Sequence, residues 1–264
     1  MSTFEELLAE GESVPVAGWD FSWFGGRATE QRPSWGYSRL LGARMAAADV
    51  ALDIQTGGGE VLEGIPYPPR MLVATESWPP NLAIAQRRLR RLGARVVQAA
   101  DGACLPFAGG TFDLVVSRHP VITVWHEIAR VLRPGGIYLS QQVGAGSNRE
   151  LSDFLMGPQP PSAMRDPDRS AADAEAAGLN VLDLRRAELR VTFNDIAAVV
   201  VFLRKVIWTV PDFNVERYRD RLAELHERIQ AEGAFVAHAQ RFLIEARRSA
   251  QRRTANSPSS DQPS

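Results

Sequence analysis

Residues 51–59 read Ala-Leu-Asp-Ile-Gln-Thr-Gly-Gly-Gly, and Glu60 follows. An apolar run ends in the carboxylate of Asp53, and three consecutive glycines come soon after it. A buried parallel strand that stops at a glycine turn and opens a helix reads this way. Glycine at such a turn lets the backbone approach a ligand that any Cβ would block. The stretch therefore predicts binding of a nucleotide-like small molecule at the carboxyl end of a strand.

Working outward, apolar strand patterns alternate with helical ones. Strands are expected at 51–54, 70–76, 94–100, 112–117 and 137–144. Helices are expected at 38–48, at 81–93 (ended by Gly93) and at 121–136 (closed by Pro-Gly-Gly). Further on come a loop or lid at 157–168 holding four prolines, a helix at 171–178 and a strand at 179–193. Helices at 195–208 and 215–233 and a last strand at 235–248, antiparallel, complete the pattern. Upstream lie a short helix at 4–10 and an aromatic, glycine-rich segment at 14–37. The sum is an α/β fold: a Rossmann-like, doubly wound, mostly parallel seven-stranded sheet with a last antiparallel strand and helices on both faces. Residues 1–44 read as a helical and aromatic segment serving as a lid. Residues 45–248 read as one domain whose acceptor-side elements span 146–232. The polar tail 249–264 is expected to be disordered.

Composition narrows the function classes. The 264 residues are 45% hydrophobic and 23% charged, enough for a globular core. The net charge of −1 implies no global pull towards nucleic acid or membrane, although a locally basic groove stays open. The single cysteine, Cys104, rules out an intramolecular disulfide and a cysteine zinc cluster. It also suits a reducing, cytoplasmic setting. The N-terminus lacks the basic and apolar regions of a secretion signal, and no stretch reaches the ~18 uninterrupted apolar residues of a membrane span. No metal site is expected.

Around this frame stand Glu76 at the end of the second strand, Asp101-Gly102 after the third, FDLVVSRH at 112–119 and EIARVLRPGGIYLS at 127–140. With ALDIQTGGGE, these residues resemble the class I S-adenosylmethionine-dependent methyltransferases, particularly those acting on small molecules. The resemblance is good over 45–145 and loose over 146–248. The chain departs from the family loop, acidic-x-Gly-x-Gly-x-Gly, at Gln55, which stands where the first glycine belongs. A requirement for φ > 0 there would strain glutamine; otherwise its side chain faces the ligand.

The resemblance implies a site for S-adenosylmethionine. Gly57, Gly58 and Gly59 would let the backbone pass the ribose and methionine parts, with Gln55 and Thr56 in the same loop. Asp53 would organise that loop and meet the ammonium end. Glu76 would accept both ribose hydroxyls, with Ser77 and Trp78 beside it. Asp101 would accept from the adenine amino group while Gly102 or Ala103 offers a backbone N–H. Ser117, Arg118 and His119 end the fourth strand, between cofactor and acceptor. His119 is the candidate catalytic base, or a structural histidine capping a helix from Pro120. Trp19 and Trp23 would hold a planar or apolar acceptor with Arg118, and Arg27, Arg32 and Arg39 would add anion contacts. Each position has a plainer reading as turn, cap or core. Cys104 reads as a small buried hydrophobe, His126 as a surface residue and Asp113 as a local stabiliser.

The expected activity is methyl transfer to O, N or C of a small-molecule acceptor. An RNA methyltransferase and a non-catalytic S-adenosylmethionine-binding protein are the alternatives. The near-neutral charge and SRHP in place of an Asn-Pro-Pro-Tyr type signature argue against nucleic acid. A nicotinamide dehydrogenase would need glycine where Leu62 stands.

Overall fold

The structure, a computed structural model, describes residues 2–160 and 165–249. It opens with α1 (Phe4–Ser13), β1 (Ala28–Glu30), α2 (Tyr37–Ala47), β2 (Val50–Ile54) and the single turn α3 (Glu60–Glu63). There follow β3 (Met71–Glu76), α4 (Pro79–Arg88), β4 (Arg95–Gln98), β5 (Phe112–Arg118), α5 (Trp125–Val131) and β6 (Leu132–Val143). The chain continues through α6 (Arg149–Met156), α7 (Pro167–Ala176), β7 (Leu179–Phe193), α8 (Ile196–Lys205), α9 (Arg219–Glu232) and β8 (Phe235–Arg248).

One mixed sheet runs in the order β1-β7-β8-β6-β5-β2-β3-β4. β2 pairs in parallel with both β3 and β5, β3 with β4, and β5 with β6. β8 runs antiparallel between β6 and β7, as expected. From β2 the chain winds one way through β3 and β4, then crosses to β5 on the other side. The carboxyl ends of β2 and β5 thus flank a topological switch point, where open α/β sheets leave a crevice for ligands.

Alternation along the strands feeds both faces. Ala51, Leu72, Leu114 and Val116 point to one face and pack with Leu41, Met45, Leu62 and Leu89. Leu52, Val73 and Val115 point to the other and pack with Trp125, Ile128 and Tyr138. α8 is apolar around most of its circumference and is buried accordingly. It is started by Asp195, whose carboxylate accepts from Ala198 N at 2.8 Å. α1, opened by a capping box between Thr3 and Glu6, lies against α8 so closely that a Cβ on Gly11 would meet Val200 Cβ at 2.9 Å.

Four features differ from the sequence expectations. The sheet has an eighth strand, because residues 28–30 of the aromatic segment pair with β7. The helix expected at 121–136 is only Trp125–Val131. Its first residues are drawn to Gln55 instead, and at its other end the chain passes directly into β6 at Leu132, with Pro134 and Gly135 (φ 80°) inside that strand, where its pairing with β5 is irregular. An extra helix, α6, follows the glycine turn after β6. Cys104 is exposed, not buried. Within the proline segment, residues 161–164 lie outside the described residues, and Pro167 is the first residue of α7 behind its Asp166 cap. The expectation for the tail concerns residues that lie, from 250 on, outside the described ones. Among the described residues no helix is long and apolar enough to cross a membrane, and no cluster of His, Cys, Asp or Glu is grouped to hold a metal ion.

Candidate functional site

A cavity of about 1370 Å³ opens over the carboxyl ends of β2, β3 and β5 and extends along α8 towards β7. Single-ligand pockets run to about 300–1,000 Å³, so there is room for two ligands. Of the residues named from the sequence, Trp19, Asp53, Gln55, Thr56, Gly57 and Glu76 line it, and so do Ser77, Asp101, Arg118 and His119.

The glycine turn is built around Glu76. One carboxylate oxygen accepts from Gly57 N at 2.8 Å and the other from Trp78 N at 2.9 Å. This fixes the carboxylate plane while each oxygen keeps a free lone pair. Gly57 adopts φ 64°, and a Cβ there would lie 2.9 Å from Trp19 Nε1 and closer still to its Cδ1. Glycine is required twice over, by the left-handed backbone and by the indole packed on it. Gly59 has φ 81° at the start of α3 and faces Leu89, away from the cavity. Its role is to let the helix pack.

Gln55 has φ 58°, so the position does require the left-handed region, and glutamine is strained there. Its side chain is engaged by the loop after β5. Nε2 donates to Ile122 O at 2.7 Å, and Oε1 accepts from Val121 N at 2.6 Å. The amide thus ties two loops of the crevice together as a glycine could not.

Asp53 is 7% exposed. Burial first, and the nearby Glu76 charge, push its carboxyl up to about 7, against a smaller opposing pull from the Thr56 hydroxyl. Burial first, and the Asp101 charge, also raise Glu76, opposed by the backbone donors of Trp78, Gly57 and Ser77. Asp101 accepts from Ser77 Oγ at 2.9 Å at the exposed rim, three residues beyond β4.

Ser117 does not face this cavity. Its hydroxyl is buried with Tyr138 Oη (2.8 Å) and Ser140 Oγ (2.9 Å), on the side of a small secondary cleft that Gly102 also lines. Only its carbonyl turns towards α2, accepting from Tyr37 Oη at 2.9 Å. Trp23 lies outside the cavity as well, packed on the core with Arg27 over its ring at 4.6 Å. Arg39 is exposed and Arg27 pairs with Glu10. Arg32 lines the mouth. Asp113 does stabilise locally, accepting from Asp49 N and Val50 N at 3.0 Å each, and His126 is exposed.

His119 starts no helix, since α5 begins six residues later at Trp125. It takes φ 55° and its ring is read through a chain of donors. Trp35 Nε1, which can only donate, reaches Gln141 Oε1 at 2.8 Å. This orients the amide so that Gln141 Nε2 donates to His119 Nε2 at 3.0 Å. The Nε2 lone pair is occupied, and Nδ1 carries the ring hydrogen. Burial, then the charges of Arg118, Arg241 and Arg165, hold the ring well below the ordinary histidine range, hence neutral.

Several contributors were not anticipated from the sequence. Gly18 N donates to Asn81 Oδ1 at 3.1 Å and Trp19 N to Glu60 Oε1 at 3.2 Å. Lys205 Nζ donates to Gly18 O at 3.1 Å. Together they clasp the aromatic segment over the glycine turn. Arg165 and Arg241 come from beyond the well-matched region. The polar triplet Ser140-Gln141-Gln142 inside a strand covered on both faces was the one available signal for the Gln141 chain.

Residues 52–140 match the family model described as a methyltransferase domain. A malonyl-acyl-carrier-protein O-methyltransferase from a Marinomonas species is 27% identical over 172 residues, covering 60% of this chain and 63% of that protein. The chain therefore spans less than two thirds of the length of this curated relative. Among solved structures, the YcgJ protein of Bacillus subtilis superposes with a TM-score of 0.58 at 16% identity, over 80% of this chain and 97% of that one. The (4+2)-cyclase SpnF superposes with a TM-score of 0.50 at 17% identity, over 92% of each. At such identities the likeness is one of fold.

Proposed function

We propose that this chain, which carries a methyltransferase domain of the class I architecture, binds S-adenosylmethionine at the Asp53–Gly59 turn and methylates a small-molecule acceptor in the remainder of the cavity. The observation that carries the reading is the carboxylate of Glu76, locked by Gly57 N and Trp78 N beside a glycine that no other residue could replace.

The residues present suit this cofactor. Glu76 has the two free lone pairs that a vicinal diol needs. Asp53 is a buried carboxylate next to the turn, suited to a positively charged ligand end. Asp101 and Ser77 offer rim contacts for an amino-bearing ring. Gly57 and Trp19 form a flat wall along the turn. When bound, S-adenosylmethionine supplies an electrophilic methyl group on a sulfonium. The chain's own task is then positioning and exclusion of water. The aromatic segment, held by Asn81, Glu60 and Lys205, closes the turn from above.

His119 acts as a hydrogen-bond donor and not as the base. Its accepting nitrogen is occupied by Gln141, and its pKa is depressed. The acceptor therefore reacts through an atom that is nucleophilic without deprotonation by this residue. Thermal shift with S-adenosylmethionine, S-adenosylhomocysteine and NAD tests the reading. Stabilisation by the two sulfur nucleotides alone supports it; stabilisation by NAD, or by none of the three, contradicts it.

A further inference from the structure

On the side of the cavity formed by the ends of β5, β6 and β8, next to the glycine turn, charge has the opposite sign to that of the turn's carboxylates. Arg118 ends β5 and has no hydrogen-bonding or ionic side-chain partner among the described residues. Arg165 likewise has no carboxylate partner among them; its guanidinium lies over Trp208 at 5.1 Å. Arg241, 8% exposed, is held bidentately by Glu30 at 2.8 and 3.0 Å and by Ser147 Oγ at 3.0 Å. These three cations line the cavity together with the neutral ring of His119. Burial lowers all three guanidinium pKa values, and the charges of Arg118 and Arg165 each depress Arg241 or are depressed by it. Glu30 is the carboxylate paired within this group, so three positive charges meet one negative. Arg241 alone of the three is buried, Arg165 is half-buried and Arg118 keeps solvent contact; like charges brought together on one cavity wall favour an anion between them.

The walls next to this cluster are apolar. Val191 and Phe193 of β7, Phe202 of α8, and Val206 and Trp208 just after that helix line the same cavity. The acids that also line it, apart from Glu30 within the cluster and Asp212 after α8, are held elsewhere. Asp53, Glu76 and Asp101 stand at the glycine turn, Glu60 is paired with Arg88 at 2.6 Å and Asp153 with Arg149 at 2.9 Å.

We propose that the acceptor is an amphipathic anion, its carboxylate or phosphate seated between Arg118 and Arg165 beside His119 and its apolar body lying along Phe193, Phe202 and Trp208. This rests on the methyl-transfer reading only for the word acceptor; the anion pocket itself does not need it. Guanidinium forks match both oxyanions, and the neutral Nδ1–H of His119 adds a donor without adding charge.

The test uses the whole chain with four probes of equal chain length: octanoate, octyl phosphate, octanol and octylamine. Binding is followed by calorimetry with and without S-adenosylhomocysteine. Octanoate or octyl phosphate should bind roughly tenfold or more tightly than octanol, the effect of one charge-assisted hydrogen-bond pair. The tighter of the two anions identifies the head group. Arg118→Gln with Arg165→Gln should abolish that preference, while Arg165→Gln alone, which leaves Arg118 beside the glycine turn in place, should weaken it and keep the affinity for S-adenosylhomocysteine within about twofold. Should the double variant not fold, sulfate should compete with octanoate in the unaltered protein. Equal binding of octanol and octanoate, an anion preference that survives the double substitution, or indifference to sulfate would overturn the proposal. Failure of S-adenosylhomocysteine to bind while the anion preference persists would sink the methyl-transfer reading and leave this one standing.

Discussion

The two sides of the cavity are built by opposite rules. At the glycine turn, carboxylates gather: Asp53, Glu76 and Asp101, each at or just beyond the end of a neighbouring parallel strand. On the side formed by the ends of β5, β6 and β8, Arg118, Arg165 and Arg241 line the cavity with one histidine. The first set suits a ligand with a positive end and a diol, the second a negatively charged one. A cavity polarised in this way orients two different molecules, because each would be repelled from the other's seat.

The comparison is broken most severely at Gly57. Gly57→Val places a branched side chain at φ 64° and into Trp19. The left-handed backbone costs about 1–2 kcal/mol and the overpacking about 1–3 kcal/mol. Chemical denaturation should show the sum, and S-adenosylhomocysteine binding should be lost while anion binding at the arginine side persists. In a Gly57→Ala background, Trp19→Ala should recover the part of the loss due to the clash and not the part due to φ.

Asp53 gives the next largest effect, and one with a definite sign. Its folded pKa of about 7 lies above the ordinary 3.8, so between these values the native state holds more protons than the unfolded one. Stability should therefore fall as pH rises from about 4 to about 7, by an amount on the order of 4 kcal/mol, and be flat on either side. Asp53→Asn should remove that slope. A positively charged ligand end beside Asp53 favours the ionised form, so affinity for S-adenosylmethionine should rise with pH through about 7, with proton release visible as a buffer-dependent heat of binding. A pH-independent affinity would take Asp53 out of the site.

Gln55 gives the smallest effect. Gln55→Gly relieves a left-handed backbone penalty of about 1 kcal/mol but gives up two hydrogen bonds worth about 0.5–1.5 kcal/mol each. Stability should change little. Gln55→Ala keeps the strain and loses the bonds, so it should be the less stable of the two. Hydrogen exchange at 121–123 should quicken in both, since the bonds to Val121 N and Ile122 O are gone.

The two sides also differ in how far they were legible from sequence. Asp53, Thr56, Gly57 and Glu76 lie on consecutive parallel strands and their first turns, where short spacing carries spatial meaning. The doubly wound sheet with its antiparallel last strand was expected from the same alternation, and every strand expected from 51 onward is present. The arginine side draws on β1, β5, the turn before α7 and β8, so residues about two hundred positions apart meet there. Nothing in their local sequence separates Arg241 from the exposed arginines of the same chain. Ser117 was misplaced for a simpler reason: alternation at the strand end turns Arg118 to the cavity and Ser117 to the opposite face. For Gln55 the sequence offered either backbone strain or a side chain facing the ligand; the strain is present, but the side chain serves as a tie to Val121 and Ile122, 66 and 67 positions away on another loop.

The most direct test of the account is a pair of calorimetric titrations of S-adenosylmethionine, one into the unaltered protein and one into Glu76→Ala. A single site should appear in the first. The second should bind more weakly by about 1–3 kcal/mol, the cost of leaving the diol hydroxyls and the Gly57 and Trp78 amides without their acceptor. No binding to the unaltered protein, or equal binding to both, would contradict the account.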